Sequence, residues 1–126
     1  MEKIAVFPGS FDPFTVGHEE IVKRGLKLFD KIVIAVGVNP VKKEFLDIES
    51  RIKLIKKAFS DTDRVVVAPY SGLTVDFCRE MNAHIIIRGL RTAADFEYER
   101  AVGQANRAMD SRIETVFILT STEHTF

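Results

Sequence analysis

The run Lys31-Ile32-Val33-Ile34-Ala35-Val36-Gly37-Val38 shows no alternation of apolar and polar residues. A strand with one wet face alternates, whereas a strand covered on both faces does not. The run therefore predicts an inner strand of a parallel sheet with helices on each side. Four further apolar runs share its character: Ile4 to Phe7, Arg64 to Ala68, His84 to Ile87 and Glu114 to Leu119. Helical patterns separate them. Thr15 can cap a helix with Ile21, Val22, Gly25, Leu26 and Phe29 on its apolar face. Asp47 can cap a second, with Ile48, Ile52, Leu54, Ile55, Ala58 and Phe59. Leu73 to Met81 reads as a short third. Thr92 and Asp95, at capping-box spacing, open a fourth from Ala93 to Met109. Strict β–α alternation predicts an α/β chain with a single doubly wound, five-stranded parallel sheet; right-handed crossovers restrict its topology, and the order expected among those left is 3-2-1-4-5. With 126 residues, one domain spanning 1–126 is expected.

In such sheets ligands bind beyond the carboxyl ends of the strands, where the strand order reverses. Here that point lies between strands one and four. The loop after strand one, Pro8 to Thr15, carries Gly9, Ser10 and an Asp12-Pro13 turn, and it opens a helix with Gly17 and His18 in its first turn. Helix N-termini offer unpaired N–H groups to anions. Alone, this loop fits an ordinary connection with a solvated histidine equally well. Directly after strand four, Arg88 and Arg91 flank Gly89-Leu90. Arginine forks suit phosphate oxygens, although the pair can also be neutralised by Asp95 and Glu99. Lys42 falls on the same sheet edge. His84 reads as a strand-edge residue.

Gly9-Ser10-Phe11-Asp12-Pro13 followed by Thr15-Val16-Gly17-His18 resembles the signature of the nucleotidyltransferase superfamily in its Thr-x-Gly-His form. Ile87-Arg88-Gly89-Leu90-Arg91 and Asp95-Phe96-Glu97-Tyr98-Glu99 resemble more specifically the bacterial phosphopantetheine adenylyltransferases. The resemblance implies a Rossmann-like nucleotidyltransferase fold. It also implies transfer of the adenylyl group of ATP to 4′-phosphopantetheine, giving dephospho-coenzyme A and pyrophosphate in the penultimate step of coenzyme A synthesis. Carried over by position, His18 would be catalytic. Ser10, Phe11, His18, Gly89, Leu90, Arg91, Glu99 and His124 would contact ATP. Ser10, Lys42, Thr74 and Arg88 would hold phosphopantetheine. Mg²⁺ would bridge phosphates without an assigned protein ligand, and the assembly would be a homohexamer. A sister enzyme acting on nicotinamide mononucleotide or CTP shares Thr-x-Gly-His but is not expected to carry the two later motifs. The family continues with an Ile-Ser-Ser-Thr-x-x-Arg-like motif that binds the triphosphate. A chain ending at Phe126 lacks that C-terminal helical segment and is expected to bind phosphopantetheine but to handle ATP poorly.

Bulk properties narrow the rest. Eighteen basic and eighteen acidic residues cancel, an expectation against nucleic-acid and membrane-surface partners. The single cysteine, Cys78, cannot form an internal disulfide and reads as a buried structural thiol beside Val75 and Phe77. With no signal peptide or spanning run, a cytoplasmic location is expected. No spacing of His, Cys or Asp predicts a structural zinc site.

Overall fold

In a computed structural model, the structure describes residues 1–41 and 43–120. Five strands and four helices alternate: β1 (Ile4–Gly9), α1 (Val16–Gly25), β2 (Lys31–Gly37), α2 (Ile48–Ala58), β3 (Val65–Tyr70), α3 (Thr74–Glu80), β4 (Ile85–Leu90), α4 (Ala93–Met109) and β5 (Glu114–Leu119). All neighbouring strands are parallel, in the order β3-β2-β1-β4-β5. The unbroken run of β2 is buried throughout its interior, Ile32 to Val36, as its lack of alternation requires.

Alternate residues of the inner strands feed two cores. Ala5, Phe7, Ile32, Ile34 and Val36 meet Ile21 and Val22 of α1 and Ile55 of α2 on one side. Val6, Val33, Ala35 and Ile86 meet Val75, Phe77 and Cys78 of α3 on the other. Cys78 is fully buried, and burial pushes its thiol up to about 11.

Three details depart from the expected elements. β1 runs on through Pro8 and Gly9, paired to Ala35 and Val36. β4 continues to Leu90, because its ladder with β5 pairs Arg88 with Phe117, Gly89 with Ile118 and Leu90 with Leu119. Arg88 and Gly89 are therefore strand residues rather than loop residues. In α2 the inward face is Ile48, Arg51, Ile52 and Ile55, while Leu54 is 53% exposed. Arg51, which the apolar pattern left off this face, is 2% exposed and lies inward.

The helix α4 stands apart. Thr92 caps it by accepting from Asp95 N at 3.1 Å, yet Glu99 is its one buried residue. Phe96, Tyr98, Val102 and Met109 are all exposed. Its far end is tied down by Asp110, which accepts from Arg79 of α3 at 3.0 Å and from Arg112.

Candidate active site

The reversal of strand order opens a crevice with a specific cause. β1 pairs with β4 only at Ala5–Ile85 and Val6–Ile86. Beyond that the two strands part. Arg88 of β4 spans the gap, donating Nη1 to the carbonyl of Pro8 at 2.6 Å. Its Nε and Nη2 make a two-toothed bond to Glu99 of α4, at 2.8 and 2.9 Å. Three of the five guanidinium N–H groups are thus used. Arg88 borders cavities on both sides. One, about 340 Å³, is lined by Gly9, Ser10, Phe11, His18 and Gly89. The other, about 160 Å³, is lined by Tyr70, Thr74, Tyr98, Glu99 and Asn106.

The first cavity is shaped by the loop after β1. Phe11 is buried with φ +49, in the left-handed region that bulky residues rarely occupy. Its ring lies on Gly9, where an added Cβ would meet ring carbon Cζ at 2.8 Å. Edge contacts to Phe7 (5.1 Å) and His18 (5.0 Å) hold the ring in place. Only glycine leaves room for this fold-back.

His18 is the third residue of α1 and takes part in its cap. Thr15 Oγ1 accepts from His18 N at 3.3 Å, and His18 Nδ1 accepts from Thr15 N at 2.9 Å. A backbone N–H can only donate, so Nδ1 carries a lone pair and the neutral ring bears its proton on Nε2. Burial lowers the imidazole to about 4, helped by the charges of Arg88 and Arg91. At neutral pH the ring is an uncharged donor.

The structure brings Ser10, Phe11, His18, Arg88 and Gly89 around one cavity, and Thr74, Arg88 and Glu99 around its neighbour. Thr74 opens α3, its hydroxyl 3.0 Å from Tyr70 Oη. Leu90 ends β4, its carbonyl accepting from Thr120 N. Arg91 pairs with Asp95 at 3.1 Å on the rim. Lys42 and His124 lie outside the described residues. Two residues of this region were not legible as functional. Asp12 accepts from Phe45 N and Leu46 N at 2.6 and 2.7 Å, clasping the loop before α2 onto the loop after β1. Arg51 lies beneath both loops.

A pocket of this kind, at the switch point of a parallel sheet, is where doubly wound α/β folds bind their ligands. The chain belongs to the cytidylyltransferase-like family, which matches residues 6–125. Among solved structures it is similar to a putative nicotinate-nucleotide adenylyltransferase from Vibrio parahaemolyticus, with TM-score 0.74 and 20% identity, covering 97% of this chain and 76% of that one. It is also similar to a bifunctional NMN adenylyltransferase/ADP ribose pyrophosphatase from Francisella tularensis, with TM-score 0.71 and 19% identity, covering 99% and 39%. Identities this low speak for the fold alone. Curated sequences are far nearer. A phosphopantetheine adenylyltransferase of Flavobacterium johnsoniae is 52% identical over 122 residues, 97% of this chain and 80% of its own length. One from Clostridium novyi is 46% identical over 124 residues, 98% and 77%. Within the wider family, the chain belongs with the phosphopantetheine adenylyltransferases.

Proposed function

We propose that this chain catalyses adenylyl transfer from ATP to 4′-phosphopantetheine, releasing pyrophosphate and forming dephospho-coenzyme A. What carries the reading is the identity of about 50% to adenylyltransferases of that name along nearly the whole chain. The geometry is consistent with it. A phosphate monoester is already an anionic nucleophile, so the reaction needs no general base. It needs alignment with the α-phosphorus and donors for the charge that builds in the transition state.

In this reading His18 donates Nε2–H to the transferring phosphoryl group. Its neutrality keeps the donor available across physiological pH, and its Nδ1 bond to Thr15 fixes the tautomer. Arg88, with Ser10, Thr74 and Lys42, grips the phosphate of phosphopantetheine, using the two guanidinium N–H groups that Pro8 and Glu99 leave over. The cavity lined by Tyr70 and Thr74 opens beside Arg88 and is assigned to the part of the pantetheine arm next to the phosphate. ATP falls to Ser10, Phe11, His18, Gly89, Leu90, Arg91, Glu99 and His124. Of these, Glu99 also orients Arg88, since both of its oxygens are bonded there.

Among the described residues there is no built magnesium site: no group of three or more His, Cys, Asp or Glu is placed to hold a metal. The carboxylates of Asp12 and Glu99 are already engaged. Mg²⁺ is therefore proposed as an ion carried on the nucleotide phosphates, with no residue assigned to it. The exposed apolar side chains of α4 favour assembly with further subunits, and the family resemblance makes that assembly a homohexamer. Light scattering near 14 kDa would exclude it. A cytoplasmic location belongs to the same reading, as a step of coenzyme A synthesis; among the described residues no helix is long and apolar enough to cross a membrane.

Pyrophosphate release tests the reaction. It is expected with ATP and phosphopantetheine, and not with nicotinamide mononucleotide as acceptor or CTP as donor. Release with nicotinamide mononucleotide instead would overturn the assignment.

A further inference from the structure

Arg51 is the one buried arginine among the described residues. It is the fourth residue of α2, and its fork reaches under the carboxyl edge of the sheet. Nη1 donates to the carbonyl of Ser10 at 2.7 Å and to that of Gly37 at 3.2 Å. Nη2 donates to Glu44 at 2.9 Å. Nε is buried without a hydrogen-bond partner. A buried guanidinium with an unsatisfied N–H is costly, although it satisfies two strand-end carbonyls that an apolar side chain would leave without this donor. Satisfying those carbonyls does not by itself require a fork that also reaches Glu44.

Its contacts taken together account for the fork. Ser10 and Gly37 follow or end the adjacent strands β1 and β2, and Glu44 lies in the loop that carries Lys42. Arg51 thus fixes, from below, both loops assigned to the attacking phosphate. The Ser10–Phe11 peptide is trans, Asp12–Pro13 being the cis bond of this region. In a trans peptide the carbonyl and the following N–H point in opposite directions. Pinning the Ser10 carbonyl toward Arg51 aims Phe11 N–H the other way. Ser10 and Asp12 border both a cavity that contains Arg51 and the cavity that contains His18, so this short stretch is the wall between them. The N–H side of the peptide faces the cavity of His18.

We infer that Arg51 is a positioning residue for adenylyl transfer: it holds the Ser10 carbonyl so that Phe11 N–H is presented beside His18 to the reacting phosphate. The inference rests on the proposed reaction. Arg51→Lys keeps the charge but replaces the fork with one ammonium, which cannot span Ser10, Gly37 and Glu44 together. kcat is expected to fall on the order of 10²-fold, as for a reacting group displaced by about 1 Å. The Phe11 amide resonance, which inorganic pyrophosphate should move in the parent protein, is expected to move much less. A merely structural role would lower the melting midpoint and leave both readouts of the folded protein intact. A folded Arg51→Lys variant within threefold of parental kcat, with an unchanged Phe11 response, overturns the inference. If Arg51→Lys does not fold, Glu44→Ala decides, because Glu44 is on an exposed loop: kcat is expected to drop about fivefold at an unchanged melting midpoint, and a parental kcat overturns the inference. A parent protein that releases no pyrophosphate from ATP and phosphopantetheine would refute the reaction instead, and the Phe11 response would still judge Arg51.

Discussion

Replacing His18 removes two things that the structure separates. The first is part of the fold. His18 Nδ1 accepts the N–H of Thr15, and its ring packs at 5.0 Å from Phe11 and 5.4 Å from Phe14. Loss of a cap bond costs about 1 kcal/mol and each ring contact about 0.5–1.5 kcal/mol. His18→Ala should therefore lose about 2–4 kcal/mol, a fall in melting midpoint of roughly 8–15 °C for a domain of this size. The second is chemical: the Nε2–H donor is worth about 10²–10³ in kcat, the usual loss for one donor to a transition-state oxyanion. His18→Asn distinguishes the two. Its side-chain oxygen reaches the place of Nδ1 and can accept from Thr15, while nothing reaches the place of Nε2. The asparagine variant should recover about 1 kcal/mol of stability over the alanine variant and none of the turnover. Pyrophosphate release at saturating ATP and phosphopantetheine, beside thermal melts, measures both. A kcat for His18→Asn within tenfold of the parent would remove the histidine from the mechanism. An asparagine variant no more stable than the alanine one would remove it from the cap.

Three further outcomes are expected. The imidazole of His18 is depressed to about 4 in the folded chain against an ordinary 6.5, so between these values the unfolded chain takes up the proton and the folded chain does not. Stability should fall as pH drops from 6.5 toward 4, and a melting curve measured against pH should lose this component in His18→Asn; an unchanged profile would contradict the depressed value. Glu99→Ala leaves Arg88 with Pro8 alone. It should cost about 1–3 kcal/mol, less than a fully buried pair because the arginine is partly exposed, and phosphopantetheine affinity should weaken; calorimetry showing parental affinity would detach Glu99 from the phosphate grip. Cys78, with its thiol pushed up to about 11, should not react with a disulfide reagent at about pH 8 until the chain unfolds, and rapid labelling of the native protein would place it outside the core.

The sheet was legible because its signals are redundant. The unalternating run of β2, the helical periods of α1 and α2 and the Thr92 cap each point to strands alternating with helices, hence to a parallel doubly wound sheet, and the separately expected order matches the observed β3-β2-β1-β4-β5. Local chemistry was less so. The expectation set Arg88 and Arg91 between phosphate and the acids Asp95 and Glu99. The structure pairs Arg88 with Glu99 and Arg91 with Asp95, yet Arg88 retains unused N–H groups toward the cavities. A salt bridge and a phosphate grip are not alternatives for a five-donor fork. The capping box of α1 escaped notice because its return bond usually comes from Glu or Gln, and here an imidazole nitrogen supplies it.

Arg51 marks where periodicity ceases to inform. The apolar pattern of α2 places Leu54 inward, on the premise that the surface beneath a helix is apolar along its whole length. That premise holds for Ile55, over the core. It fails one turn earlier, where α2 passes over the carboxyl ends of β1 and β2. Parallel strands end in a row of carbonyl oxygens with no further ladder to receive them, and a buried acceptor demands a donor. Leucine offers none, whereas a guanidinium answers two carbonyls at once. The same demand explains why Arg88 donates to Pro8 where β1 and β4 part. Both arginines satisfy backbone carbonyls at the edge where a phosphate would bind, so guanidinium groups stand there for a backbone reason before any ligand is considered. What a sequence conceals is which of its arginines the strand ends will claim.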